Sequence, residues 1–341
     1  MASNRVKIEA IEYYLPQKVV TNDDIKAENP SWNVKLLEER TGVRQRHISS
    51  DNETALDLAL TACKQLFKSV PDAAARIDGL IFCTESEDYI LPPNCCMLHK
   101  MLDLPENVFA FDYNLACSGF IYGLALARGL VISGQAKNIL LINADTYSKY
   151  INKQDRATRI LFGDGAAVTL ITAAGENDES GILDIQCATS GKGYDKLIIP
   201  SGGNRMPKTP ETSKPLTDKS GNTRTLENIY MDGMGILSFV NSRVPSQVSE
   251  VLNRNGLSAD RIDMFIFHQA SAMALDSLER IMGIPSQKSF RNIGEAGNTV
   301  GATIPICLKN ALDANRIISG NTVVLSGFGV GLSWGTALVK I

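Results

Sequence analysis

Three residues of different chemical type stand at points in the sequence where a functional group would be presented rather than packed away. Cys117 lies in FDYNLACSGFIYGLALARGLVISG, where an apolar strand-like segment turns through Ala116, Cys117, Ser118 and Gly119 into an amphipathic helix. A thiol at a helix start faces unpaired amide groups and the positive end of the helix dipole. The expectation is therefore a thiolate favoured below the ordinary cysteine pKa of about 8.5. Cys63, Cys83 and Cys307 lie inside apolar periodic segments and read as small buried thiols. His268 ends the apolar strand MFIFHQAS, and Asn298 lies in EAGNTVGATIPICLKNAL, a glycine-flanked turn that opens another amphipathic helix. Taken singly, such residues are more often satisfied hydrogen bonders than catalysts; as a set of Cys, His and Asn they carry more weight.

Placing them requires a scaffold, and the chain supplies it twice. Short β-branched runs such as DGLIFCT (78 to 84) and NILLINA (138 to 144), bounded by Gly, Pro or Asn, alternate with longer helical stretches, the pattern of an α/β protein. IDGLIFCTES at 77 to 86 recurs as IDMFIFHQAS at 262 to 271, NILLINADT from Asn138 returns as NTVVLSGFG from Asn321, and GAAVTLI (165 to 171) returns as GTALVKI (335 to 341). Three matches in the same order indicate two similar halves, expected at 1–175 and 176–341 with a polar divide at AAGENDES. The segment of Asn298 is the second-half counterpart of the one bearing Cys117. If the halves pack about a pseudo-twofold axis, both helix starts point at one central place.

Composition narrows the classes. The 341 residues carry 34 Lys plus Arg against 37 Asp plus Glu, a net charge of −3, with 44% hydrophobic residues, which excludes fibre and disorder. It also offers no broad attraction to nucleic acid or an anionic membrane surface. MASNRVKIEAIEYYLP lacks the apolar stretch of a secretory signal, and no segment reaches the ~20 apolar residues of a membrane span, so a cytoplasmic protein is expected. Seven cysteines with no CxxC pair indicate neither a disulfide framework nor a metal site. Residues 201–228, with three prolines and mixed charge, predict an exposed loop or flap, and the basic run RTGVRQRHI (Arg40, Arg44, Arg46, His47) predicts a solvated face.

RTGVRQRHI, LACSGF, DRATRILFGDGAA, MDG at 231 to 233, HQAS, GNTVGATIP and GFGVGLSWG, in that order over nearly the whole chain, resemble the β-ketoacyl-acyl carrier protein synthase III enzymes of the thiolase superfamily. The resemblance implies a thiolase-like αβαβα fold of two similar halves, normally a homodimer, with Cys117 as nucleophile and His268 and Asn298 as its partners. It implies decarboxylative Claisen condensation: Cys117 takes an acyl group from a thioester, and a malonyl thioester loses carbon dioxide and attacks it as an enolate. His268 Nε2–H and an Asn298 side-chain N–H would stabilise that enolate, and the backbone N–H groups of Cys117 and of Val330, in the loop 327 to 331, would form the oxyanion hole. No bound cofactor is implied; coenzyme A or acyl carrier protein thioesters are the substrates, in fatty-acid initiation or a specialised lipid or secondary-metabolite pathway.

Four positions depart from the family's pattern, and all concern substrate handling. Leu36 stands where a tryptophan commonly stacks on adenine, the nearest tryptophan being Trp32, while Arg40 and Arg156 match basic residues at the coenzyme A mouth. Met273 stands where an arginine docks the carrier protein. Val330 replaces a glycine and would be strained at positive φ. Leu91 replaces a phenylalanine that reaches into the partner's acyl pocket. Two other readings remain at this stage: acyl transfer from Cys117 to a hydroxyl or amine without decarboxylation, and a noncatalytic partner subunit of a heterodimer.

Overall fold

The computed structural model describes residues 5–175 and 178–341, so the divide expected between 175 and 176 borders residues outside the described set. Two mixed sheets organise the chain. The first contains β1 (Val6–Tyr14), β2 (Gly79–Cys83), β3 (Phe109–Tyr113), β4 (Asn138–Asp145) and β5 (Gly165–Ala173) in the order β1-β5-β4-β2-β3. The second contains β6 (Gly181–Thr189), β7 (Met264–Phe267), β8 (Thr322–Gly329) and β9 (Ser333–Lys340) in the order β6-β9-β8-β7. The two sheets share one plan. In each, the inner strand pair is parallel (β2 with β4, β7 with β8) and the next two pairings are antiparallel. Only β3 lacks a full counterpart, and a single parallel bridge between Phe265 and Ser289 stands in its place.

Period-two alternation decides which helix each strand face meets. Beyond the helix α1 (Val34–Thr41) in the chain, Leu80 and Phe82 of β2 turn outward onto α2 (Ala55–Ser69) and α3 (Asn94–Met101), whereas Ile81 turns inward. Thr54 and Asp57 start α2 with a reciprocal capping box, and seven of its residues are buried along one face. The second sheet repeats the arrangement: Phe265, Phe267 and Val324 pack on α5 (Gly233–Arg254) and α6 (Ala272–Met282), while Ile266, Val323 and Leu325 face inward.

Between the sheets lie α4 (Ala116–Ile132) and α7 (Thr303–Asp313). Phe120, Ile121 and Leu124 of α4 join Ile304, Cys307 and Leu308 of α7 in one apolar core shared by both sheets. A helix covered on both sides by sheet must be apolar almost all round, which α4 is. The result is a five-layer αβαβα sandwich, as expected from the sequence. Among the described residues no helix is long and apolar enough to cross a membrane.

The basic run corrects one expectation. Arg44 is exposed and pairs with Glu295, but Arg46 is fully buried. Its guanidinium donates to the carbonyls of Val20 (3.0 Å) and Ile160 (2.8 Å) and to Asn22 Oδ1 (2.6 Å), and burial brings its pKa down to about 10. It therefore stays charged near neutrality and ties the strand pair Lys18–Thr21 and Gln45–Ile48 to the segment before β5. Replacing Arg46 by Met should orphan three acceptors at about 1–3 kcal/mol each, for a total loss of at least ~3 kcal/mol in denaturant unfolding. Lys at this position should recover only part, since an ammonium cannot span the guanidinium's fork. A Met variant within about 0.5 kcal/mol of wild type would contradict this role.

Candidate active site

Cys117 is the second residue of α4 and is buried. The preceding Ala116 holds φ at +39, which turns the chain sharply out of β3 and sets the thiol at the helix start. Against it comes the end of β8. A side chain at Gly329 would place its Cβ 2.6 Å from Cys117 Cβ and 3.0 Å from Sγ, so only glycine permits the approach. That approach brings the backbone N–H of Val330, together with that of Cys117 itself, to the sulfur. Val330 is not among the residues with positive φ; Gly331, at +120, takes the unusual conformation, so the strain expected at Val330 is absent.

The thiol's electrostatics reverse the sequence expectation. Burial, reinforced by the nearby carboxyls of Glu85 and Asp145, pushes the Cys117 pKa well above the ordinary thiol range, although the two N–H groups pull the other way. Cys117 therefore rests as a thiol. His268, at the end of β7, is also buried, and loss of solvation brings its pKa down to about 3, so its imidazole is neutral. Phe328 meets the ring edge-on at 5.6 Å between centroids, and Thr303 Oγ1 lies 2.6 Å from Nδ1.

Asn298 is held by a backbone clamp from the other half of the chain and by its own turn. Its N–H donates to the Leu161 carbonyl (3.0 Å), its carbonyl accepts from the Gly163 N–H (3.0 Å), and its Oδ1 accepts from the Val300 N–H (3.0 Å). The side-chain Nδ2 makes only a long 3.5 Å contact to the Ala270 carbonyl, which leaves N–H capacity for a ligand. Cys117, His268 and Asn298 line one cavity of about 460 Å³. A neutral imidazole, a carboxamide, a thiol and two backbone N–H groups can together accept an acyl group and stabilise negative charge on a carbonyl oxygen.

Arg40 and Arg156 line the same cavity, the latter donating to the Ser220 carbonyl at 2.5 Å; Met273 lies there as well. Residues 201–228 are largely exposed and bear a short hairpin (Leu216–Thr217 with Thr223–Arg224), and Ser220 and Asn222 from it reach the cavity. Two other sequence candidates lie elsewhere. Trp32 is buried in a small cluster with Val20 and Ile25, and Leu36 is exposed and off the cavity; Leu37, one position on around the helix Val34–Thr41, faces it instead. Leu91 is 79% exposed and does not line the cavity of its own chain.

Sequence reasoning missed Thr303, Glu85 and Tyr147. Thr303 gave no signal, since a threonine at a helix start reads as a cap. Glu85 had one: the repeat sets TES at the end of β2 against QAS at the end of β7, so Glu85 occupies the strand end equivalent to the neighbourhood of His268.

A family model described as 3-oxoacyl-[acyl-carrier-protein (ACP)] synthase III matches residues 111–191, and the C-terminal model of the same description matches 252–341. The β-ketoacyl-[acyl-carrier-protein] synthase III of Campylobacter curvus is 33% identical over 340 residues, covering 98% of this chain and 97% of that protein. Its counterpart from Clostridium perfringens is 35% identical over 330 residues, covering 96% and 97%. A crystal structure of a 3-oxoacyl-(acyl-carrier-protein) synthase III superposes with a TM-score of 0.95 at 39% identity, covering 99% of this chain and all of that one. The 3-oxoacyl-(acyl-carrier protein) synthase from Burkholderia xenovorans gives 0.90 at 32%, covering 100% and 95%. Full-length identity at this level, joined to the same thiolase-like architecture, makes this chain a condensing enzyme of the β-ketoacyl-acyl carrier protein synthase III family.

Proposed function

We propose that Cys117, His268 and Asn298 carry the family's decarboxylative condensation in this chain, initiating fatty-acid synthesis from an acyl thioester and a malonyl thioester. The observation that supports this most is the meeting of all three side chains, drawn from both halves, in one cavity whose cationic residues are Arg40 and Arg156. Those two suit the phosphates of coenzyme A or of a carrier protein's prosthetic arm. Cys117 sulfur bonds to the acyl carbonyl carbon, the carbon–sulfur bond of the donor breaks, and the departing thiol takes the proton that Cys117 gives up. The carbonyl oxygen accepts from the N–H groups of Cys117 and Val330. A malonyl thioester then loses carbon dioxide, and its enolate oxygen accepts from His268 Nε2–H and Asn298 Nδ2–H. The enolate carbon bonds to the acyl carbonyl carbon, the bond from that carbon to the Cys117 sulfur breaks to release the β-ketoacyl thioester, and the sulfur takes up a proton from solvent.

The imidazole has to accept a proton in the first half and present one in the second. Thr303 provides for both. Its hydroxyl lies between His268 Nδ1 (2.6 Å) and the Val300 carbonyl (3.1 Å). Donating to Nδ1, it places the ring proton on Nε2; turned to Val300, it accepts from Nδ1–H and leaves Nε2 open as a base.

A homodimer fits the exposed apolar run Tyr89, Ile90 and Leu91 (60, 96 and 79% exposed), which a second copy would cover and which would bring Leu91 toward the partner's acyl group. The free thiols, including exposed Cys96, suit the reducing cytoplasm.

Following the covalent adduct by intact mass and carbon dioxide separately tests the assignment. Cys117→Ala should abolish the adduct while keeping slow malonyl decarboxylation. Asn298→Ala should still acylate at Cys117 but lose about 10²–10³ in condensation, the worth of one donor to a developing oxyanion. Condensation at the wild-type rate in that variant, or acyl transfer to an alcohol or amine with no carbon dioxide, would favour simple acyl transfer instead. Thr303→Val should slow condensation by about tenfold, the equivalent of one hydrogen bond, with Thr303→Ser restoring it. Equal rates in the Val and Ser variants would remove the tautomer role.

A further inference from the structure

A second cavity, of about 300 Å³, lies beside the Val330–Gly331 turn and includes Glu85, Asn114 and Tyr147 in its lining. Tyr147 belongs to the same apolar cluster as Cys117, and Cys117 lies within electrostatic reach of Glu85, so this space is close to the sulfur. The first cavity already holds the arginines expected to meet a carrier, which leaves the second for the acyl group. Its apolar wall, with Ile229, suits a short alkyl chain.

The polar groups do not suit a plain alkyl chain. Tyr147 donates its hydroxyl proton to Glu85 Oε2, and Glu85 Oε1 has no hydrogen-bond partner among the described residues. Asp145 stands behind it. One Asp145 oxygen accepts from the Glu85 N–H (2.8 Å) and more weakly from Ser86 and Thr84, while Oδ2 is buried without a partner. Asn114, an exposed residue, lines the same cavity. Burial pushes Glu85 up to about 7, with the Tyr147 hydroxyl pulling the other way.

Building on the assignment of Cys117 as the acylated residue, we propose that this cavity selects short acyl groups that carry a hydrogen-bond donor, a hydroxyl or an amine, for Glu85. The donor pairs with Oε1, Asn114 stands ready for a second bond, and the chain's carbons lie on the apolar wall. A purely aliphatic acyl group of the same length leaves Oε1 facing carbon. Sites built around a buried polar group reject ligands that lack its partner far more strongly than apolar pockets reject an extra methylene.

The test loads the full-length enzyme with butyryl-, 3-hydroxybutyryl- and 3-aminobutyryl-coenzyme A at equal concentration and follows the adduct at Cys117 by intact mass. At least one donor-bearing group is expected to load faster than butyryl by about tenfold or more, and whichever does identifies the donor as hydroxyl or amine. Glu85→Val should bring the three rates together by raising butyryl and lowering the favoured group. The isosteric Glu85→Gln, which keeps the shape and a hydrogen-bonding oxygen, should retain a hydroxyl preference and lose an amine preference. Butyryl loading as fast as both others in the wild type, or a preference that neither variant moves, overturns the proposal. Absence of any adduct with all three overturns instead the assignment of Cys117, and the proposal with it.

Discussion

The site depends on one close approach, that of the end of β8 to the first turn of α4. No side chain fits between them: Gly327 lies against the Cys117 carbonyl and Gly329 against its Cβ and sulfur. This contact joins the two halves at the Cys117 sulfur, buries the thiol, and brings the Val330 N–H to it. Backbone strain collects at its margins. Ala116 at φ +39 precedes Cys117, and Val300 at φ +56 follows Asn298 by two residues. A β-branched residue at positive φ costs of order 1–3 kcal/mol and persists only where its surroundings enforce it. Here the enforcing groups are visible, in the Val300 N–H bonded to Asn298 Oδ1 and the Val300 carbonyl bonded to Thr303.

Burial then sets the proton inventory. Cys117 is raised and His268 lowered, both chiefly by loss of solvation, so the pair rests uncharged. A thiolate–imidazolium pair would need stabilisation that the carboxyls of Glu85 and Asp145 work against on the sulfur side. On this account the helix start and the oxyanion N–H groups act mainly on charge that appears during the reaction, once an acyl carbonyl is in place, which is where such groups are most effective.

Much of this was legible from residue order alone. The repeat survives as Val/Ile-rich strands at offsets of 185, 183 and 170, and the two sheets show the matching strand order; Cys117, His268 and Asn298 stand at turn or strand ends, and the structure brings them to one cavity. What escaped has a common cause, in that local pattern does not report what lies across the fold. Arg46 reads as one charge in an exposed run because the carbonyl of Ile160 that captures it is 114 residues away. Leu36 and Leu37 are indistinguishable by type, and only the helix's rotation decides which faces the cavity. Burial overrides the lowered thiol pKa expected of a helix start, and nothing local to Glu85 reports its partner, Tyr147, which lies beyond a second strand.

Whether Cys117 and His268 rest uncharged until an acyl thioester binds can be read from the pH dependence of Cys117 alkylation in the free enzyme. Iodoacetamide modification would be resolved by peptide mass so that exposed Cys96 is counted apart. The Cys117 rate should be low near neutrality and still climb with hydroxide above about pH 9, as for a thiol raised beyond its ordinary range. A fast, pH-independent plateau between about pH 6 and 8 would mean a resting thiolate beside a protonated imidazole and would contradict it.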